Sequence, residues 1–378
     1  TAPSGRKALV LPMSAMSGNS WQKCRSLWRN DYSDIIVVSI AASGTESASF
    51  SADTGMAECL VIANKREPGE YQPRAFSVIL KEQPQTTLEG DLIAQAINRA
   101  IADENVRKLE GGPFGGTRIE LGDKLVGKII DCPVPEEGSW YMIGASDITL
   151  GQTAYQLTQG RLWIEGMNPN EVQSLSIRPI ENVCNSIGPH HLNIVGKTVK
   201  SDGLPQGPFH KRLGCQPGAA YPFLWNHNAE KERYLTVEPD THGQLRQVKG
   251  RVPQKLQERA AARWATATRA HYNLDLQFNS QSLVVAMTDR ACIGGRAWPS
   301  VILKDPDHEY AFALWCNSTL GLLCHWWSAN LTQSGRGTTT ITGIPYIHTL
   351  DLGSLSSQQH RMAKKVFVGL RDDKFLPF

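Results

Sequence analysis

Two apolar runs, Ile35 to Ala41 and Met56 to Ala63, stand on either side of a polar loop rich in Ser, Gly and Asp. Runs of this length and branching are expected of strands buried on both faces inside a helix-covered sheet. Lys7 to Pro12 adds a further strand, and Ser20 to Asn30, with Trp21, Cys24, Leu27 and Trp28 at helical spacing, a helix that crosses between them. Strand, helix, strand, loop, strand predicts the closing half of a doubly wound α/β sheet, its last strand antiparallel. Only 34 residues precede Ile35, too few for the rest of such a sheet, so the chain is expected to start inside a domain. Thr1 in place of Met agrees with trimming or a cut boundary.

Ala75 to Leu80 continues the pattern as a strand. A helix follows, with Thr87 as its expected cap and Leu92, Ile93, Ala96, Ile97, Ala100 and Ile101 along its apolar face. The glycine-rich segment Gly111 to Gly116 then breaks the chain, giving an expected division into domains 1–110 and 111–378. Short strands (Lys124 to Ile130, Trp140 to Ile143, Arg161 to Ile164, Tyr234 to Val237) alternate with turns beyond it. Helices are expected at Gln254 to Ala270, Tyr310 to Trp327 and Ser356 to Leu370, making a mixed α+β second domain.

Composition narrows the function classes. The 378 residues are 41% hydrophobic and 20% charged, without a run long enough to span a membrane or a signal-peptide pattern, so a cytoplasmic protein is expected. Eight scattered cysteines form no CxxC pair and fit neither a disulfide framework nor a zinc site. Cys184 with His190 and His191 comes nearest to a metal cluster, but adjacent histidines on a strand point to opposite faces. Phosphate-loop, nucleophile-elbow and zinc-protease signatures are absent, and Gly111 to Gly116 follows a helix, as a hinge does, where a dinucleotide loop follows a strand.

Net charge is only +3, but its distribution is uneven. Arg246 to Arg269 holds seven Lys or Arg residues and one acid, Glu258. Lys255, Arg259 and Arg263 recur every four residues, a row of like charges that costs a few tenths of a kcal/mol per neighbour in an isolated helix. A phosphate backbone would offset that cost, with Arg246, Lys249 and Arg251 leading into the same surface. Acids elsewhere in the fold would offset it equally well. Phe278 to Ser282 (FNSQS) carries Asn279 and Gln281, whose amides have the geometry to read adenine, and Ile293 to Trp298 carries Arg296, suited to guanine; structural turns use the same residues. Arg336 sits in a polar loop where it can meet a phosphate.

Taken together, KALVLPMSAMSGNSWQKCRSLWRNDYSDIIVVSI, SADTGMAECLVIANK, FNSQS, NSTLGLL and TTTITGIPYI resemble the rear portion of N6-adenine DNA methyltransferases of the restriction-modification type. The resemblance implies a partial Rossmann-like methyltransferase sheet over residues 1 to 110, a target-recognition domain after it, and double-stranded DNA as partner. It implies that the glycine-rich turn for S-adenosylmethionine and the Asn/Asp-Pro-Pro-aromatic tetrapeptide would both precede Thr1; neither occurs in this chain, so no cofactor binding and no methyl transfer are expected of it alone. The partner would include the missing N-terminal catalytic half or a separate subunit. The family's aromatic before its last sheet strand falls on Phe50, where it would stack on a flipped adenine; packing under its own loop is the other reading. A rival is a non-catalytic interaction or specificity subunit that docks a catalytic chain through the apolar run Ala311 to Trp327.

Overall fold

Side chains of the N-terminal apolar runs divide by parity between the two faces of one sheet. The structure, a computed structural model, describes residues 5–41, 49–51, 57–67, 73–103, 105–111, 115–135, 140, 147–162, 172–215, 218–228, 231–278, 283–329 and 336–376. Strands β1 (Arg6–Pro12), β2 (Tyr32–Ile40), β3 (Glu58–Lys65), β4 (Ala75–Leu80), β5 (Thr117–Leu121) and β6 (Lys124–Cys132) lie in the order β1-β3-β2-β4-β6-β5. Ile35, Val37, Val61, Ala75 and Ile130 face one layer, which holds Trp28 of helix α1 (Gln22–Asp31). Ile36, Val38, Phe76, Val78 and Ile129 face the other, with Ile93 and Ile97 of α2 (Thr87–Ala102). Successive residues thus feed opposite cores, which is why the sequence shows no polar alternation there.

The third strand is inserted between the first two. β3 pairs antiparallel with β1 on one side and with β2 on the other, so β1 and β2 run the same way, and β2 pairs parallel with β4. The strand expected to close the sheet is antiparallel as anticipated, but it does not close it, since β4, β6 and β5 continue the sheet beyond β2. β1 is an edge strand with apolar residues on both faces, and Leu9 and Val10 are 42% and 47% exposed.

Two expectations need correction here. The cap of α2 is Thr86, one residue earlier than expected: its hydroxyl accepts from the Glu89 amide at 3.1 Å, while Glu89 accepts from the Gln85 amide at 2.8 Å. Gly111 to Gly116 does not end a domain, because β6 pairs antiparallel with β4 and β5 with β6 beyond it. Gly116 answers to packing: a Cβ there would lie 2.6 Å from the Ile129 carbonyl oxygen. The chain divides instead into one unit of Thr1–Leu175 with Asn330–Ser334 and another of Ser176–Ala329 with Gly335–Phe378. Trp140 is described and buried; residues 141–146 and 163–171 lie outside the described residues, and of the strand expected at Arg161 the structure describes Arg161–Leu162.

The second unit is built on a five-stranded sheet, β7 (Phe209–Leu213), β8 (Pro222–Leu224), β9 (Thr241–Leu245), β10 (Thr268–Tyr272) and β11 (Val285–Gly294), in the order β7-β9-β8-β11-β10. Helix α4 (Gln254–Trp264) buries Leu256 and Ala260; α3 (Ile148–Thr158) belongs to the first unit. The basic helix ends at Trp264, not Ala270, because Thr268–Tyr272 pairs antiparallel with β11 and that ladder takes its backbone groups. His271, just past the expected helix, is a strand residue in the core. Tyr234 to Val237, expected as a strand, contributes only an isolated bridge from Thr236 to Met287.

The apolar run expected as one helix is two, α5 (Glu309–Cys316) and α6 (Thr319–Ser328). Asn317 makes the break: its Oδ1 accepts from the Val284 and Val285 amides at 2.8 and 3.1 Å, and its Nδ2 donates to the Val285 carbonyl at 2.7 Å. Ser318 then caps α6 by accepting from the Gly321 amide. Helix α7 (Ser357–Leu370) starts at a capping box formed by Ser356 and Gln359. Behind α6, buried His325 accepts from the Tyr272 hydroxyl at 2.9 Å through Nδ1 and donates from Nε2 to the Gly337 carbonyl at 2.8 Å.

Burial holds the His325 pKa down to about 4 against an ordinary value of 6.5. The unfolded chain therefore takes up a proton there as pH falls through 6.5, while the folded chain stays neutral until about 4, and stability present at neutral pH is lost across that window. Urea denaturation from pH 7 to 4 should show a His325→Gln variant losing stability less steeply than the parent, by up to about 1.4 kcal/mol per pH unit. Equal slopes would remove His325 as the cause. Asn317→Ala strands two backbone donors and should lower unfolding free energy by roughly 2–4 kcal/mol, a loss under about 0.5 kcal/mol contradicting the anchoring role.

Candidate nucleic-acid interface

The basic residues of the second unit are organised by two arginines that do not themselves face solvent freely. Arg246 is buried, and its guanidinium donates to the Gly207 carbonyl at 2.9 Å and the Val195 carbonyl at 2.7 Å, with His210 Nδ1 at 3.2 Å. Arg259 of α4 is half-buried, donating to the Pro205 carbonyl at 2.6 Å and pairing with Asp202 at 2.5 Å. Both guanidiniums grip the same loop, residues 196–207, one from the end of β9 and one from the helix. Of the row Lys255, Arg259 and Arg263, the middle charge is thus offset by an acid of the fold, as the second sequence reading allowed. Arg246, expected on the basic surface, is structural.

What remains exposed is a basic margin around that loop. Lys255 lies on the open side of α4, and Arg251 and Lys249 project from the tight turn before it, where Lys249 and Gly250 have φ of 51° and 78°. Arg263 is half-buried, its Nε without a hydrogen-bond partner. Lys197 and Lys200 are exposed on the gripped loop, and His210, Lys211 and Arg212 on the outer strand β7. Lys211 lies over the Trp225 ring at 5.1 Å, and Arg212 donates to the Gln244 side chain at 3.0 Å. Among the described residues no carboxylate comes within ion-pair distance of Lys197, Lys200, Lys211, Arg212, Lys249, Arg251 or Lys255. Lost hydration, then the charges of Arg246, Arg212 and Lys197, push the His210 pKa below its usual value, a direct sign of crowded positive charge.

Lys197, Lys200 and the His210–Arg212 triplet were not singled out from the sequence, since they lie well upstream of the basic helix. A signal was present: the sequence FHKRL has its cations together with no acid beside them.

The other sequence-predicted residues are distributed more widely. Arg296 is exposed beyond β11, and its charge is the third cause, after burial and His190, of a lowered His191 pKa. The neighbouring Gly295 admits no side chain, a Cβ there meeting the Trp225 ring at 2.5 Å, and Trp298 is core. Arg336 begins a short strand, Arg336–Thr338, paired antiparallel with Asp275–Gln277, so that Gln277 stands opposite Arg336. Asn279 and Gln281 lie outside the described residues, in the segment following Gln277 and Phe278. Phe50 belongs to the first unit, where it packs partly buried against the core containing Phe76 and Ile36. Its amide and that of Ser51 both donate to Glu58 Oε2, at 2.9 and 2.8 Å, pinning this end of the loop to β3.

No protein-family model matches the chain, and no curated protein does. Among solved structures it is similar to the type IIG restriction endonuclease BpuSI, with 10% sequence identity over 99% of this chain and 43% of that one and a TM-score of 0.37. The chain therefore spans less than half the length of that protein.

Proposed function

We propose that this chain is the DNA-binding, target-recognition portion of an S-adenosylmethionine-dependent N6-adenine DNA methyltransferase of the restriction-modification type. The observation that carries the reading is the margin of exposed cations without acidic partners around loop 196–207, α4 and β7. Charges so placed repel one another, and a polyanion that threads among them releases its counterions and relieves that repulsion. Phosphate contacts from Lys197, Lys200, Lys211, Arg212, Arg251, Lys255 and Arg263 set affinity and register; Asn279, Gln281, Arg296 and Arg336 read bases or flanking phosphates; and Phe50 stacks on the extruded adenine.

The residues present do not suit the cofactor. A cavity of about 210 Å³ at the ends of β2 and β4, where open α/β sheets take their ligands, is lined by Lys81, Lys128 and Asp147 beside Ile79, Leu80 and Ile148. Two lysines oppose a sulfonium of like charge, and Asp147 already caps α3 by accepting from the Leu150 amide at 2.7 Å. Methyl transfer is assigned to a catalytic half that this chain joins. The exposed apolar edge of β1 supports such a junction, with Leu9, Val10 and, on α1, Leu27 at 48% exposure. The run Ala311 to Trp327 does not serve it: Phe312, Cys316, Cys324 and Trp327 are buried within the second unit.

Changing Lys197, Lys200, Lys211 and Arg212 together to Ala should weaken binding to random-sequence duplex DNA and reduce the slope of log affinity against log salt by roughly 3 to 4 units. Fluorescence anisotropy across a salt series measures both. Arg259→Ala, whose guanidinium is already engaged with Asp202, should alter that slope by less than about one unit. A quadruple variant that binds duplex with unchanged affinity and slope overturns the interface.

A further inference from the structure

The second unit holds a cavity of about 220 Å³ whose chemistry is opposite to that of the basic margin. Its apolar walls are Trp298, Leu224 and Val237, all buried. Glu232 lines it and is only 3% exposed. One carboxylate oxygen, Oε1, is fully used: it accepts from the Asn228 amide at 2.5 Å and lies 3.2 Å from His227 Nδ1. The other, Oε2, is buried and has no hydrogen-bond partner among the described residues. Leaving a buried charged oxygen unsatisfied costs at least as much as any single hydrogen bond contributes, so such an atom in a cavity marks a place where a donor is received.

The sign of that donor follows from the lining. Glu238 and Asp240 add two carboxylates to Glu232 against the single ammonium of Lys231. Asp240 is occupied in holding the wall, accepting from the Trp225 and Asn226 amides at 2.7 and 3.0 Å. Glu238 is exposed, so Glu232 is the buried acceptor left for a ligand. A planar, weakly hydrated cation satisfies every feature at once: an N–H for Oε2, a face for the Trp298 indole, and a positive charge for the net negative lining. We propose that this cavity is a binding site for a guanidinium group, carried either by a small molecule or by an arginine of a polypeptide, and held through Glu232 Oε2.

The test is isothermal titration calorimetry of the full chain with methylguanidinium chloride, sodium chloride serving as control at equal ionic strength. Saturable binding is expected from methylguanidinium alone, weakened by about tenfold or more in Glu232→Gln, which keeps the shape of the side chain and removes its charge. Glu238→Lys, at an exposed position that packing does not constrain, should weaken binding several-fold and keeps the test decisive if the first variant folds poorly. Repeating the titration with acetyl-arginine-amide and acetyl-Gly-Arg-Gly-amide separates the sources: equal affinities assign a small guanidinium, and a gain for the tripeptide assigns a polypeptide arginine. Absence of saturable binding to the parent, or binding unaltered by both substitutions, overturns the proposal.

Discussion

Arg246 carries a charge into the interior of the second unit, where it meets no carboxylate among the described residues and is received by two main-chain carbonyls and an imidazole. Moving a guanidinium out of water is costly unless its donors are satisfied, so the loop that supplies those carbonyls is held in the one conformation that satisfies them. Arg259 clamps the same loop from the helix side. Lys197 and Lys200 are thereby kept beside the cations of β7, although like charges would otherwise spread apart. The basic margin is a by-product of a buried polar contact, and its repulsion is borne by the fold.

The net charge of +3 conceals a segregation of sign. Within one unit, cations without acidic partners gather around loop 196–207, while Glu232, Glu238 and Asp240 line a cavity facing a single lysine. Segregation of this kind sets up local fields that a sequence average erases. Under the two proposals above, the polyanion and the compact cation would meet different groups of the same unit, without either ligand competing for the other's.

The first strands of the N-terminal sheet were readable from the sequence because burial on both faces leaves a mark that few other environments do, the β-branched run of Ile35 to Val38. The antiparallel direction of β3 followed from the order strand, helix, strand, loop, strand. Other features were hidden for identifiable reasons. Alanines after Trp264 favour helix locally, and only the pairing of Thr268–Tyr272 with β11 overrules them. The break at Asn317 interrupts no hydrophobic period, since its cause is a pair of amides more than thirty residues upstream. Arg259 and Arg246 carried the right charge, but a guanidinium bound for phosphate and one bound for a carbonyl look alike in a sequence. Lys197 and Lys200 join the interface only because those two contacts draw their loop to the helix and the sheet.

The edge strand β1 presents Leu9 and Val10 to solvent beside a row of main-chain groups with no ladder on its outer side. Arg6 and Lys7 at one end and Pro12 at the other leave only a short central stretch able to accept a neighbour. An open edge of this kind is a template on which any extended backbone can add a strand, and its shortness, with charge at one end and proline at the other, limits how many ladder bonds such an addition could form.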